Sequence, residues 1–392
     1  MSFEPTVEIS RWALTRLERG HLWVYSSDVK RVESASPGDV VKVVDGRGWF
    51  VGRAFYSAES QITLRMLTRE DEPVDESFFA RRLDFALDMR RRLFGESALA
   101  LRLVHGEGDL LPGLIVDRYG DVLSVQTLIQ ATDRRKDLFF DLLEARLSPR
   151  AVVVRNDAKV RSHEGLVLES GVARGKPPGT ISIVEGNVTL HVDPVGGQKT
   201  GGFLDQRENH LAAGALVGKG ERCLDVFSYS GGFALQMARA GGRVTAVEIS
   251  EKAVGEAEKA AADNELELDL VVANAFDWLK AASVDGHRFD VIVLDPPAFA
   301  RSKAALPNAL RGYKEINLRA LQLLSAGGWL VTCSCSYHMS EEQLLELVLS
   351  AAQDAGRKVQ LVERRGAGRD HPALLGVPET SYLKCLVLRR VD

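Results

Sequence analysis

Two apolar runs of this chain end in residues that could do chemistry together. Val293-Leu294-Asp295-Pro296-Pro297-Ala298-Phe299 closes one run, and Thr332-Cys333-Ser334-Cys335-Ser336 closes the other. Each reads as a buried strand, and parallel strands bring their C-terminal ends to one edge of a sheet. A thiol beside a carboxyl suits methylation of a pyrimidine at carbon 5. That carbon is a poor nucleophile until a thiolate adds to carbon 6 and makes carbon 5 carbanion-like. A neighbouring group must then hydrogen-bond or protonate N3 as charge gathers there. Cys335 is the candidate nucleophile and Asp295 the candidate acid. Pro296 and Pro297 present carbonyls with no competing N–H, and the Phe299 ring can stack on an unstacked base; with Lys303 they are the expected substrate contacts.

Either motif alone is ordinary. A buried cysteine is usually a small hydrophobe, and Asp-Pro-Pro ends many strands. Cys333 is the rival nucleophile, since residues two apart on a strand face the same way. Cys335 stands nearer the substrate edge, where Ser334 and Ser336 offer polar company to a thiolate.

A cofactor loop precedes both motifs. Asp225-Val226-Phe227-Ser228-Tyr229-Ser230-Gly231-Gly232-Phe233 follows an apolar run, and its glycines let backbone approach a ligand at a helix N-terminus. Glu248 follows about 20 residues on, where an acid can hold ribose hydroxyls. The Gly-x-Gly-x-x-Gly spacing of a dinucleotide site is absent. S-adenosylmethionine fits better, because it has ribose and adenine but no pyrophosphate, and its amino group suits Asp225. The expected cofactor contacts are Asp225, Phe227, Ser228, Tyr229, Gly231, Glu248 and Asp295, with Asn274 and Ala275 bracketing the adenine. Lys199, Thr200 and Gln206 lie in a polar, glycine-rich segment expected to cover the methionine end. That segment lacks the order of a phosphate loop.

The elements that must position these groups follow from the pattern. At 392 residues the chain is long for one domain, and its 45% hydrophobic and 27% charged residues mark it as globular. Residues 1–72 read as a small β-barrel, with strands such as Val40–Val44 and Ile62–Leu67 and a basic, aromatic opening from Arg11-Trp12 to Tyr25 suited to RNA. Residues 73–189 read as an α+β unit. It holds a solvated helix over 76–94 with Arg81-Arg82 and Arg90-Arg91-Arg92, and strands at Leu101–His105, Leu114–Asp117 continuing to Val122–Leu128, Ala151–Arg155 and Leu166–Glu169. A helix lies around Asp133–Leu147, and Gly171–Thr180 reads as a linker.

From 190 to 392 strands and helices alternate, giving an α/β doubly wound sheet. Its strands are read at Arg222–Val226, Arg243–Glu248, Leu268–Val272, Asp290–Leu294, Gly328–Cys333, Val359–Val362 and Leu383–Leu388. Arg311, Tyr313 and Lys314 fall on the helix after the Asp-Pro-Pro loop, where they could line an RNA approach. The four cysteines have neither disulfide nor zinc spacing, so no metal is expected. No run approaches the ~18 apolar residues of a membrane span, and the opening residues lack a signal-peptide pattern. The expected compartment is the cytoplasm. A net charge of −4 excludes wholesale coating of a polyanion, but not a local basic surface.

Gly-Gln-Lys-Thr-Gly at 197–201, Leu-Asp-Gln-Arg at 204–207, Asp-Val-Phe-Ser-Tyr-Ser-Gly-Gly at 225–232, Asp-Pro-Pro-Ala-Phe at 295–299 and Ser-Cys-Ser at 334–336 resemble the RlmI-type large-subunit ribosomal RNA 5-methylcytosine methyltransferases. Leu111-Pro112-Gly113-Leu114-Ile115-Val116-Asp117-Arg118 looks like their central hairpin, and the resemblance runs the whole chain. It implies an N-terminal PUA-like barrel, a central strand-strand-helix-strand-strand domain and a C-terminal Rossmann-like class I methyltransferase domain. It also implies large-subunit ribosomal RNA as partner, a homodimer, Cys335 as nucleophile and Asp295 as the acid at the base. Other RNA cytosine methyltransferases carry a second cysteine in the Asp-Pro motif, where this chain has Ala298 and Phe299. Product release would then fall to another base or to water. Two other readings stay open: methylation of a guanine nitrogen, which needs no thiol, and an RNA-binding ribosome assembly factor without catalysis.

Overall fold

The computed structural model describes residues 4–299 and 303–392. The chain forms two compact units, one of Met1–Ile183, Val192–Leu204 and Arg369–Thr380, the other of Val184–His191, Asp205–Gly368 and Ser381–Asp392.

The first unit begins with a six-stranded sheet in the order Trp23–Tyr25, Ile62–Thr68, Phe50–Tyr56, Val40–Val44, Thr6–Ile9, Val29–Glu33. Helix Arg11–Glu18, capped by the Ser10 hydroxyl, adds Ala13 and Leu17 to a core of Val7, Val24, Val41, Val43 and Leu64. Trp12 and Trp49 remain exposed. A five-stranded sheet follows, ordered Glu169–Gly175, Ala151–Asn156, Val122–Thr127, Leu114–Tyr119, Ala100–His105. Phe78, Phe79 and Leu83 of helix Glu76–Phe94 and Phe139, Phe140 and Leu143 of helix Lys136–Leu147 pack on it. The core also takes in Phe55 and Leu67, so both sheets share one apolar interior.

Three expectations change here. Leu114–Leu128 is broken by a turn at Gly120, whose φ of 62° suits glycine, into two antiparallel strands. Residues 169–175, expected within a strand end and a linker, are an edge strand on Ala151–Asn156; half-exposed edges carry little apolar alternation to read. The 76–94 helix is not solvated at Arg90, which is buried and forms a two-point ion pair with Asp109 at 2.5 and 2.7 Å.

The second unit is the doubly wound part. Its elements are α1 (Arg207–Ala215), β1 (Arg222–Val226), α2 (Gly232–Arg239), β2 (Arg243–Glu248), α3 (Glu251–Asp263), β3 (Leu268–Val272), α4 (Ala275–Val284), β4 (Phe289–Leu294), α5 (Leu306–Leu323), β5 (Leu324–Ser334), α6 (Glu341–Ala355), β6 (Val359–Arg365) and β7 (Lys384–Arg390). The sheet order is β3-β2-β1-β4-β5-β7-β6, with β7 antiparallel to both neighbours and β1 to β5 parallel.

The inner strands are nearly continuous in apolar residues because helices cover both faces. Leu224, Val226, Ile292, Leu294 and Leu330 meet α4, α5 and α6 through Leu279, Ile316 and Leu344. Cys223, Ala246, Val291, Val293, Val331, Cys333, Cys385 and Val387 meet Ala213 of α1 and Phe233 and Met237 of α2. The order reverses between β1 and β4, so their C-terminal ends open a crevice for ligands.

Candidate active site

The loop after β1 is bent by force rather than by glycine alone. Phe227 and Tyr229 adopt φ of 67° and 47°, a left-handed conformation that costs of order 1–3 kcal/mol for such side chains. The neighbouring strand over-determines it. Phe227 and Ser228 N–H donate to the Val247 carbonyl (3.0 and 3.2 Å), and Tyr229 N–H donates to Glu248 Oε2 (3.0 Å). Glu248 Oε1 also accepts from Ile249 and Ser250 N–H at 2.9 Å, so the acid at the end of β2 is held rigidly and keeps lone pairs for a ligand.

Asp225 lies below that loop, fully buried, with Oδ2 accepting from Ala234 N–H at 3.0 Å. Burial pushes its carboxyl up to about 7; His210 opposes the rise, and Asp295 and Glu248 add to it. Burial works against charge on His210 too, yet Glu185, 2.8 Å from Nδ1, holds the imidazole above its ordinary range. Gly232 is required here, since a Cβ would lie 2.5 Å from the His210 ring.

The loop that bears the acid and the turn that bears the thiol lie together. Asp295 N–H donates to the Val226 carbonyl (3.3 Å), which ties the Asp-Pro-Pro loop to the cofactor loop. Cys335 follows the last residue of β5, is partly exposed, and its Sγ lies 3.9 Å from the Pro296 carbonyl oxygen. Cys333 is fully buried, and a hydrogen bond with Cys385, together with burial, drives its thiol well above the usual range. A thiol held protonated is a poor nucleophile. Of the two cysteines, only Cys335 is open to a substrate.

A broad concavity lined by Arg222, Arg243, Leu268 and Phe289 lies at the opposite edge of the sheet, at the strand starts, away from this chemistry.

The S-adenosylmethionine-dependent methyltransferase family profile matches residues 161–389, and a PUA-like domain profile matches residues 7–69. The chain is 40% identical over 395 residues to a protein of Tolumonas auensis named ribosomal RNA large subunit methyltransferase I, covering 98% of this chain and 99% of that one. A protein of the same name from Shewanella frigidimarina is 41% identical over 382 residues, with 95% and 96% covered. The chain belongs to the ribosomal RNA large subunit methyltransferase I family. Solved structures share the fold: a SAM-dependent methyltransferase of Streptococcus mutans (TM-score 0.84, 21% identity, 98% and 99% covered) and a methyltransferase complexed with SAH (TM-score 0.85, 22% identity, 98% and 99% covered).

The cofactor of this family is S-adenosylmethionine, and the crevice fits it. Asp225 Oδ1 and Ser228 Oγ are buried with no hydrogen-bond partner among the described residues, an acceptor and a hydroxyl waiting for a polar ligand. Asn274 Oδ1 caps α4 through Phe276 and Asp277 N–H (2.9 and 3.4 Å), and Ala275 is buried beside it. Gln206 is buried, and its Oε1 accepts from Asn209 (2.7 Å). Lys199 and Thr200 belong to the first unit, where Lys199 Nζ lies over the Phe203 ring and the Thr200 hydroxyl bonds to Asp117 and Tyr119.

Among the expected substrate contacts, Pro297 is exposed and Pro296 buried. The Phe299 ring joins a cluster with Phe227, Phe276 and Tyr313 at 6.2, 5.8 and 4.7 Å between centroids. The Lys303 side chain falls outside the described residues. Tyr313 does not line an RNA approach: it is fully buried, with its hydroxyl between those of Ser334 (3.1 Å) and Ser336 (3.0 Å). Those serines therefore brace the turn through Tyr313. Lys314 pairs with Asp354 at 2.7 Å. Lys384, buried beside the same turn, escaped the sequence reading because a lysine inside an apolar strand run carries no motif.

Proposed function

We propose that the protein methylates carbon 5 of a cytosine in large-subunit ribosomal RNA through a covalent Cys335–cytosine adduct. The observation that carries this reading is the approach of the Cys335 thiol, 3.9 Å, to the Pro296 carbonyl of the loop that bears Asp295. Methylation of a guanine nitrogen would need no such thiol. The RNA substrate follows from the names of the relatives and from the PUA-like match, and the cytoplasm is where that RNA is made into ribosomes.

In the proposed reaction the Cys335 thiolate forms an S–C6 bond, and the C5=C6 electron pair moves to C5. Asp295 supplies a hydrogen bond or proton at N3 as charge develops on the ring. Bound S-adenosylmethionine supplies an electrophilic methyl group for C5. Loss of the C5 proton to a base or water then expels the thiolate and restores the ring. Pro297 and Phe299 border the path of the base, which must leave its stack to reach the thiol. Asp225, Ser228 and Glu248 orient the cofactor by its ammonium and hydroxyls.

The test is incubation of purified protein with labelled S-adenosylmethionine and unmodified ribosomal RNA, beside Cys335→Ala, with the labelled nucleoside identified by mass spectrometry. The expected result is 5-methylcytidine from the native protein and none from the variant. Methylated guanosine, or full activity without Cys335, would overturn the reading. Light scattering is expected to give a homodimer.

A further inference from the structure

Lys384 carries a buried charge that the reaction just described does not use. It opens β7, opposite Ser334 of β5 in the antiparallel register, and is 7% exposed. Its ammonium donates to the carbonyl oxygens of Ser336 at 2.8 Å and Tyr382 at 2.9 Å. Those two acceptors fill two of its three N–H donors. No carboxylate forms an ion pair with it among the described residues, although an ammonium is rarely buried without a counter-charge. Ser336 is the residue after Cys335, so the ammonium is pinned to the turn that presents the thiol.

Among the described residues, several titratable groups on the elements around this turn would oppose a thiolate rather than stabilise it. Asp295 on the loop after β4, Tyr313 on α5 and Glu341 at the start of α6 are acids, and their ionised forms oppose one. Glu341 is paired with Arg364 at 3.4 Å, and the His338 ring is set against Tyr337 at 5.2 Å. Cys333 and Cys385 are buried beneath. Burial lowers the proton affinity of Lys384, while Cys335 and, after it, Glu341 act in the opposite sense and favour its charged form.

We propose that Lys384 is the counter-charge of the Cys335 thiolate, a positioning residue that keeps the nucleophile ionised at neutral pH and fixes the turn from which it attacks. This rests on Cys335 being the nucleophile. The ammonium is held by two backbone carbonyls, one of them that of the residue after the nucleophile, which leaves one N–H donor beyond these two bonds and sets the charge beside the thiol's own segment.

The experiment needs no RNA, so its failure is distinct from failure of the methylation assay. Full-length protein is alkylated with iodoacetamide from pH 5 to 10, and Cys335 modification is read by peptide mass spectrometry. The native midpoint is expected at least one unit below the ~8.5 of free cysteine. Lys384→Met is expected to raise it by a unit or more, slowing alkylation at pH 7 about tenfold, and Lys384→Arg to restore most of the shift. Calorimetric binding of S-adenosylmethionine checks that the variants are folded. A native midpoint at 8.5 or above overturns the proposal even if Lys384→Met does not fold, and so does a midpoint that Lys384→Met leaves unmoved.

Discussion

Binding of S-adenosylmethionine is expected to weaken as the pH falls through 7, because of one carboxyl group. Asp225 is fully buried, and burial pushes it up to about 7, so it takes up a proton in a range where exposed carboxylates stay ionised. In the proposed contact with the ligand ammonium only the ionised form can pair, so protonation should remove affinity as the pH drops. With a midpoint of about 7, roughly three quarters of the groups are ionised at pH 7.5 and about 3% at pH 5.5. Affinity should therefore fall roughly 25-fold across that window, about 2 kcal/mol. Calorimetric titration at half-unit steps measures it, and the upper limit keeps the ligand's own α-amino group, with a pKa near 8, mostly protonated. In Asp225→Asn the amide oxygen can still accept from Ala234 N–H, but an NH2 replaces the unpartnered oxygen. Binding by this variant should be weak at every pH and nearly flat. Native affinity that does not change between pH 5.5 and 7.5, or an Asn variant as tight as native protein at pH 7.5, would refute the reasoning.

Three further outcomes are expected. Cys333→Ala should cost about 1–2 kcal/mol of local stability, from a small cavity beside Cys385, and leave methylation intact; loss of activity equal to that of Cys335→Ala would move the nucleophile to Cys333. Tyr313→Phe removes the hydroxyl that bonds to the buried Ser334 and Ser336 side chains, so protection of β5 amides against hydrogen exchange should fall by about 1–2 kcal/mol. Unchanged protection would mean that the tyrosine hydroxyl contributes nothing net. Gly232→Ala drives a methyl into the His210 ring, which Glu185 holds in place, and should weaken cofactor binding tenfold or more by calorimetry.

Much of the catalytic sheet could be read from the chain, because its strands are buried on both faces and their apolar runs are bounded by glycine and polar turns. The seven expected strands match the observed ones within a few residues at either end, the largest extension being Leu324–Ser334 where Gly328–Cys333 was read. The approach of Cys335 to the Asp-Pro-Pro loop followed from strand direction alone. What could not be read depends on pairing across long separations. Tyr313 lies on a mixed polar and apolar helix, and only the packed helix shows that its hydroxyl points at two serines of β5. Arg90 sits in a run of three arginines, and its burial depends on an aspartate brought by a different segment. The edge strand at 169–175 has too few buried positions for alternation to betray it. Lys384 acquires meaning only because β7 pairs with β5.

That pairing also orders events as the chain folds. Strand β6 leaves the growing polypeptide before β7, yet among the described residues its one partner in the sheet is β7, which lies between it and β5. Until β7 arrives, β5 presents an open edge, β6 has nothing to pair with, and the turn that carries Cys335 lacks its ammonium. Contacts of this kind form late and slowly, since a loop must close before they repay its entropy. A half-made chain thus lacks the contact that pins the Cys335 turn, and it carries an unpaired edge that a chaperone or a neighbouring chain could engage.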